Sequence, residues 1–423
     1  MRNLFILVLC LCCLIPKSAK AAGEGDALQS QIQELTKSVQ DLRLTVENQQ
    51  REIALLKNQT PPPFTTSYQP PAASSGSRSL QGRWNPDIGV VADVVTKIDT
   101  PNADTEGADR VSVRELELVL GSSVDPYSRL DATISFSDFE AANLEEAYYT
   151  HFGLPWDVTA RLGRFKPAIG KTIPVHRDSL DTVDGPVVIQ RYFGAEGYTK
   201  SGADIKKSLD LPFGAHEVAL GVLEGGNGED GTLFGSARRR PTLYSHLKNY
   251  FDLNDVTGLE LGASYIIGSR DEGAAFNVGV IGLDGTLIYR FTDQRHLKLQ
   301  GEAFRVNRGE SFIERVNPTT SAIFFEDLDN NRNLWGGYLL GDLRFHPQWA
   351  TGFRFDDVMI VDNPLSNPSL HDLGYTAYLT FYQSEFARWR AQLTHLERAN
   401  GIKDDELLLQ GTFAIGEHKH KLS

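Results

Sequence analysis

Few residues of this chain stand in a spacing that could do covalent chemistry. Gly226-Asn227-Gly228-Glu229-Asp230-Gly231 has the glycine spacing that cradles a dinucleotide. That mechanism needs a strand before the glycines and a helix after them, whereas strand-like alternation flanks this run on both sides, so it reads as an external loop. Asp327, Asp329 and Asn331 copy the opening of a calcium-binding loop, but Arg332 replaces the required glycine and Tyr338 the closing glutamate. A loose divalent-cation contact is the most this run suggests. His418 and His420 lie near the end of the chain without further ligands, and no zinc spacing occurs. Neither a metal site nor a cofactor is predicted. Glu145 and Glu146 are neighbours on a strand, which puts them on opposite faces and is wrong for shared acid–base work. Serine, histidine and acid all occur, but no nucleophile elbow does, and no enzyme is predicted. Cys10, Cys12 and Cys13 are confined to an N-terminal apolar segment, which excludes disulfides and thiol chemistry from the rest.

What remains is charge at alternate positions. Trp389, Ala391 and Leu393 oppose Arg388, Arg390, Gln392 and Thr394; Leu297, Leu299, Gly301 and Ala303 oppose Lys298, Gln300 and Glu302. Val158, Ala160 and Leu162 oppose Thr159, Arg161 and Gly163, and Leu259, Leu261, Ala263, Tyr265 and Ile267 share a face. A period of two marks a strand with one apolar and one polar side. Charges at every second position of apolar strands need a wet interior, which describes a membrane β-barrel. On this alternation Arg161, Lys298, Arg344, Arg354, Arg388 and Arg390 face inward and are candidates to line a pore. The alternative is that the arginines pair with Asp342 and Asp356 across neighbouring strands and only stabilise the wall.

The elements that must position these charges are sixteen strands, predicted at 87–97, 110–121, 127–137, 144–153, 156–166, 197–208, 215–224, 240–252, 256–268, 276–291, 296–308, 333–345, 348–361, 372–383, 386–398 and 403–416. Short turns are predicted near Asp125-Pro126, Gly153 to Trp156, Pro212-Phe213, Asn254-Asp255, Thr292-Asp293, Pro347-Gln348 and Ser384-Glu385. Longer connections, one of them at 309–332, alternate with these turns. An even strand number with this rhythm is the outer-membrane pattern, short turns periplasmic and long loops outside. A soluble sandwich or propeller has no reason to keep so strict a rhythm. The longest inner connection, Pro167 to Glu196, is a candidate to fold into the barrel. Its Asp178, Asp181 and Asp184 would then face the inward arginines in a mixed-charge constriction of weak net selectivity.

The N-terminal fifth is organised differently. Residues 1–21 read as a signal peptide: Arg2, an apolar run from Leu4 to Ile15, and Ala19-Lys20-Ala21 for cleavage. The run is shorter than the roughly 20 residues that a spanning helix needs. Residues 22–59 carry heptads, with Ile32, Val39, Val46 and Ile53 at a and Leu35 and Leu42 among the d positions. This predicts a periplasmic coiled coil about 50 Å long; a single surface helix is the alternative. β-Branched a with leucine d leans towards a dimer. Residues 60–84 form a Pro/Ser-rich linker, and residues 85–423 the barrel. Net charge is −13 overall, and removing Arg2, Lys17 and Lys20 with the leader makes it −16, which argues against nucleic acid as a partner.

Several short motifs carry a resemblance. Val113-Arg114-Glu115, Glu146-Ala147-Tyr148, Gly163-Arg164-Phe165-Lys166 with Gly170, and Phe193-Gly194 with Glu196-Gly197 resemble the phosphate-selective porin type of outer-membrane barrel. The chain also resembles a sister group with an N-terminal coiled coil. The resemblance implies a porin-type channel for passive diffusion of small hydrophilic solutes, with a phosphate or anion channel as a narrower version. It further implies contact with outer-membrane lipid and lipopolysaccharide, and assembly as a homo-oligomer, usually a trimer. A structural anchor engaging the cell-wall layer through its coiled coil is the reading from another class.

Overall fold

The computed structural model describes residues 86–99, 110–137, 142–195, 197–209, 211–225, 232–234, 240–269, 277–316, 323–361 and 370–416. The predicted signal peptide, coiled coil and linker therefore lie outside the described residues, as do the run 226–231 and His418 and His420.

Sixteen antiparallel strands form one closed barrel. They are β1 (Asp87–Asp99), β2 (Arg110–Asp125), β3 (Ser128–Phe136), β4 (Asn143–Leu154), β5 (Val158–Phe165), β6 (Lys200–Leu209), β7 (Ala215–Leu223) and β8 (Thr242–Asn254). β9 (Thr257–Ser269), β10 (Asn277–Thr292), β11 (Arg295–Val316), β12 (Ile323–His346), β13 (Trp349–Met359), β14 (His371–Ser384), β15 (Ala387–Glu397) and β16 (Lys403–Gly416) complete it. Each strand pairs with its sequence neighbours, and β1 closes on β16 from Gly89↔Gly416 to Asp99↔Glu406. Closure removes the unpaired edge that an open sheet would leave in lipid. Every predicted strand has its counterpart. Two predictions fail locally. The connection expected at 309–332 is mostly strand, because β11 and β12 stay paired out to Val316↔Ile323. Asp327 to Asn331 are thus extended backbone within β12, which rules out a calcium-binding loop there. The turn expected from Gly153 falls two residues later, at Pro155–Asp157.

The turns at 126–127, 155–157, 211–214, 255–256, 293–294, 347–348 and 385–386 gather at one end of the barrel. Alternation then separates the two faces. In β10, Ile281 and Leu283 point outward and are exposed, while Val278, Val280, Asp284 and Thr286 point inward and are buried. Outward positions of the other strands are also apolar and exposed, among them Leu162, Ile205, Leu220, Leu339 and Leu393. Exposed aromatics ring the short-turn end, including Tyr127, Trp156, Phe213, Phe291 and Phe386. Soluble monomers rarely leave more than a few hundred Å² of contiguous apolar surface. An apolar belt edged by aromatics is the surface of a barrel set in lipid.

Candidate functional site

A ring of sixteen strands encloses more room than its own inward side chains fill. Residues 166–195 and 197–199, between β5 and β6, fold into that room. Backbone inside a protein needs a partner for each N–H, and the alternating polar positions of the wall supply them. Lys166 donates its backbone N–H to Glu146 Oε1 at 2.8 Å, and Gly170 to Ser264 Oγ at 3.0 Å. Lys171 and Thr172 donate to the two carboxylate oxygens of Glu302 at 2.9 and 2.8 Å. Val183 donates to Gln392 Oε1 at 2.7 Å and Val187 to Asp356 Oδ1 at 2.8 Å. The loop is thereby fixed to β4, β9, β11, β13 and β15. Gly170 has φ +60, and a Cβ there would stand 2.2 Å from Glu302 Oε2, so glycine is what lets the loop close on that carboxylate.

Beyond these anchors the loop forms a short helix, α1 (Val187–Phe193), which rests on β12 and β13. Tyr192 donates its hydroxyl to Met359 O at 3.1 Å. Phe193 meets Phe304 edge-on at 5.2 Å and Tyr198 at 5.7 Å. Residues 232–234, between β7 and β8, also lie inward, where Leu233 N–H donates to Tyr192 O at 3.0 Å and Phe234 packs beside Tyr198. Part of the lumen wall is therefore an apolar core, to which β10 to β13 contribute Val278, Val280, Phe304, Val306, Leu334 and Val358 beside their inward polar residues.

The six inward cations are all placed on the lumen side, in different company. Lys298 Nζ pairs with Asp181 Oδ1 at 2.6 Å. Arg354 donates to Asp356 at 2.7 Å, to Thr182 Oγ1 at 2.6 Å and to Asp184 O at 2.8 Å. Arg388 donates to Asp178 O, and Arg390 to Thr380 Oγ1 and Gln410 Oε1 at 3.0 and 3.2 Å. Arg161 grips Asp204 with two bonds at 3.0 and 2.5 Å and lies over the Phe165 ring. Arg344 stays at its turn, donating to Pro347 O and covering the Tyr382 ring. Arg354, Arg388 and Arg390 are almost fully buried, and Arg354 and Arg388 hold loop carbonyls. The loop aspartates also lie inside, with Asp178 buried and Asp184 3.5 Å from Arg114.

The charges that keep solvent contact around the loop come from both signs. Lys248 and Lys171 flank Glu260 at 3.1 and 2.8 Å, their side chains 41% and 28% exposed. Across the loop, Asp181 and Asp184 are each 31% exposed. Lys171, Lys248 and Glu260 were not singled out from sequence. Glu260 was within reach of the alternation, since it opposes Leu259 and Leu261; Lys171 sits in a loop, where no period marks it. The reading of Glu145 and Glu146 as opposite-facing is corrected. A β-bulge between Thr133 and Ile134 of the partner strand makes Glu145 an extra residue, and both carboxylates turn towards His176.

No protein-family model matches the chain. Among solved structures, the barrel is similar to an anion-selective porin from Comamonas acidovorans, with TM-score 0.53 and 12% identity, covering 78% of this chain and 99% of that one. It is similar to Salmonella typhi OmpF in complex with daunomycin, with TM-score 0.53 and 10% identity over 78% and 97% of the two chains. Pseudomonas putida OprB matches with TM-score 0.51 and 12% identity over 79% and 95%. At these identities the likeness is one of fold. An uncharacterized protein of Aquifex aeolicus (strain VF5) is 30% identical over 335 residues, 71% of this chain and 68% of that protein. The chain belongs to the same family as this Aquifex aeolicus protein.

Proposed function

We propose that the protein is a bacterial outer-membrane channel through which small hydrophilic solutes diffuse passively, narrowed by its inner loop. The observation that carries this reading is the pairing of a closed barrel, apolar outside, with a loop that leaves charges of both signs exposed to the lumen. The fold likeness to porins supports it. Lys171 and Lys248 share Glu260, and Lys298 is matched by Asp181, so the constriction carries little net charge and selects weakly between ions. A phosphate-selective path, the narrower version, calls for cations without such partners. In this reading the short turns face the periplasm, the heptad segment 22–59 lies there, and the barrels associate as a homo-oligomer, by analogy a trimer.

A second reading is a closed barrel that anchors the coiled coil to the cell-wall layer. It is favoured by the apolar packing of α1 and Phe234 within the lumen. Liposome swelling separates the two. Proteoliposomes of the full chain should swell in small sugars and amino acids at rates that fall with solute size. Folded, inserted protein that gives no swelling in any of them would refute the channel.

A further inference from the structure

Two β-bulges lie close together in the wall beside the inner loop. In the β1–β2 pairing Asp93 faces Glu115 but Val94 faces Val113, so Arg114 is an extra residue. In the β3–β4 pairing Thr133 faces Glu146 but Ile134 faces Leu144, so Glu145 is one too. Bulges re-aim side chains that strict alternation would send outward. The loop then lowers His176 onto the carboxylates gathered there. Its Nδ1 lies 3.4 Å from Glu117 Oε1 and 3.6 Å from Glu145 Oε2, and its Nε2 lies 2.9 Å from Glu146 Oε2. The other oxygen of Glu146 accepts the Lys166 backbone N–H at 2.8 Å.

This cluster is shut away from solvent. Glu115, Glu117, Glu146 and His176 are each more than nine-tenths buried. Glu117 Oε1 and Glu115 Oε2 accept no hydrogen bond, although buried carboxylates need donors or ions. Glu115 lies against Glu145, and the cations within reach are Lys166 and Arg177. Asp178, also nearby, is met by Arg388.

We infer that Glu117, Glu145 and His176 bind one divalent transition-metal cation, which fastens the inner loop to the bulged wall. Metal bonds to such ligands are about 2.0–2.2 Å, so a tetrahedral site has ligand–ligand edges of roughly 3.3–3.6 Å. The two edges from His176 Nδ1 have this length. A ligating imidazole characteristically gives its other N–H to a carboxylate that sets ring and tautomer, and Glu146 stands at that nitrogen. One imidazole with two carboxylates suits zinc, manganese or iron better than magnesium or calcium. Glu115, with its free oxygen beside Glu145, marks the side from which a fourth ligand or water would approach. The competing arrangement is a histidinium held by three carboxylates with no ion.

The test is metal binding by the purified full chain in detergent, independent of conductance. After EDTA treatment, titration with Zn²⁺ should saturate at one equivalent per chain, and Co²⁺ in its place should give the visible bands of a four-coordinate ion. Glu117→Gln, nearly isosteric, should lose this uptake while the barrel keeps the anomalous gel migration of a folded form. Glu146→Gln should weaken binding about 10–100-fold, and His395→Gln, at a surface histidine, should leave it unchanged. No saturable binding, or binding that survives both Glu117→Gln and His176→Ala, would overturn the site.

Discussion

Glu302 is the strongest single anchor of the inner loop, and Glu302→Gln should release it. The carboxylate accepts the Lys171 N–H at 2.9 Å, the Thr172 N–H at 2.8 Å, the Tyr338 hydroxyl at 2.8 Å and the Thr172 hydroxyl. Glutamine keeps the shape but turns one oxygen into a donor. If the amide nitrogen takes the Oε2 position, the Lys171 N–H is left buried and unpaired, at about 1–3 kcal/mol. The bonds that remain lose their charge assistance, roughly 1 kcal/mol each at most. Together these cost the docked loop about 3–5 kcal/mol, or roughly two to four orders of magnitude in the undocked population. Hydrogen exchange read amide by amide is the assay. Lys171 and Thr172 should exchange much faster in the variant, while amides of the β10–β11 ladder stay protected. Equal exchange at Lys171 and Thr172 in both proteins would show that the wall carboxylates do not hold the loop.

Selectivity should respond to the exposed charges more than to the buried ones. Lys171→Glu with Lys248→Glu should move the zero-current potential in a salt gradient towards cations, and Asp181→Asn with Asp184→Asn should move it towards anions. Arg388→Glu, by contrast, should unseat the loop, because that guanidinium holds the Asp178 carbonyl; its signature is a larger conductance. On the outer face, Leu283→Arg places a charge at an outward position 60% exposed within the apolar belt. It should cost about 2–4 kcal/mol in lipid, read from urea refolding into vesicles. Burial raises the Asp181 carboxyl, but Lys298, then Arg390 and Arg388, lower it by more, so it titrates below the ordinary aspartate range. Its contribution to loop docking is therefore full above about pH 4 and lost only as pH falls through the lowered value. Protection of the loop amides beside Asp181, meaning exchange corrected for its intrinsic pH dependence, should stay constant from pH 7 to about pH 4, and protection there that falls away from near neutrality would contradict the Lys298 tether.

The barrel was legible because lipid on one side and polar groups on the other impose a period of two on nearly every strand. Leu259, Leu261 and Tyr265 show it as plainly in sequence as in the closed sheet. The strand ends were less legible where pairing alone decides them: β11 and β12 run on to Val316 and Ile323, past the apolar stretch that marked them. The inner loop could be guessed from its length, but not its anchors, since a loop has no period to betray which N–H meets which carboxylate. Glu302 stood out only as a polar residue opposite Gly301 and Ala303, and Asp356 as a partner for an arginine; both hold loop backbone, and Asp356 meets Arg354 as well. The Glu117–His176 cluster was hidden for a sharper reason. A bulge adds one residue to one strand, and the alternation that exposes the barrel then misassigns Glu145.

The central claim is that solute passes through the lumen beside the docked loop, and single-channel recording in planar bilayers tests it most directly. The purified full chain should insert in discrete steps with a steady, ohmic current and a zero-current potential close to zero in a salt gradient. Glu302→Gln should raise the step size. Insertion of folded barrels that pass no current, with current appearing only in Glu302→Gln, would mean that the docked loop closes the barrel and that the native protein is not an open channel.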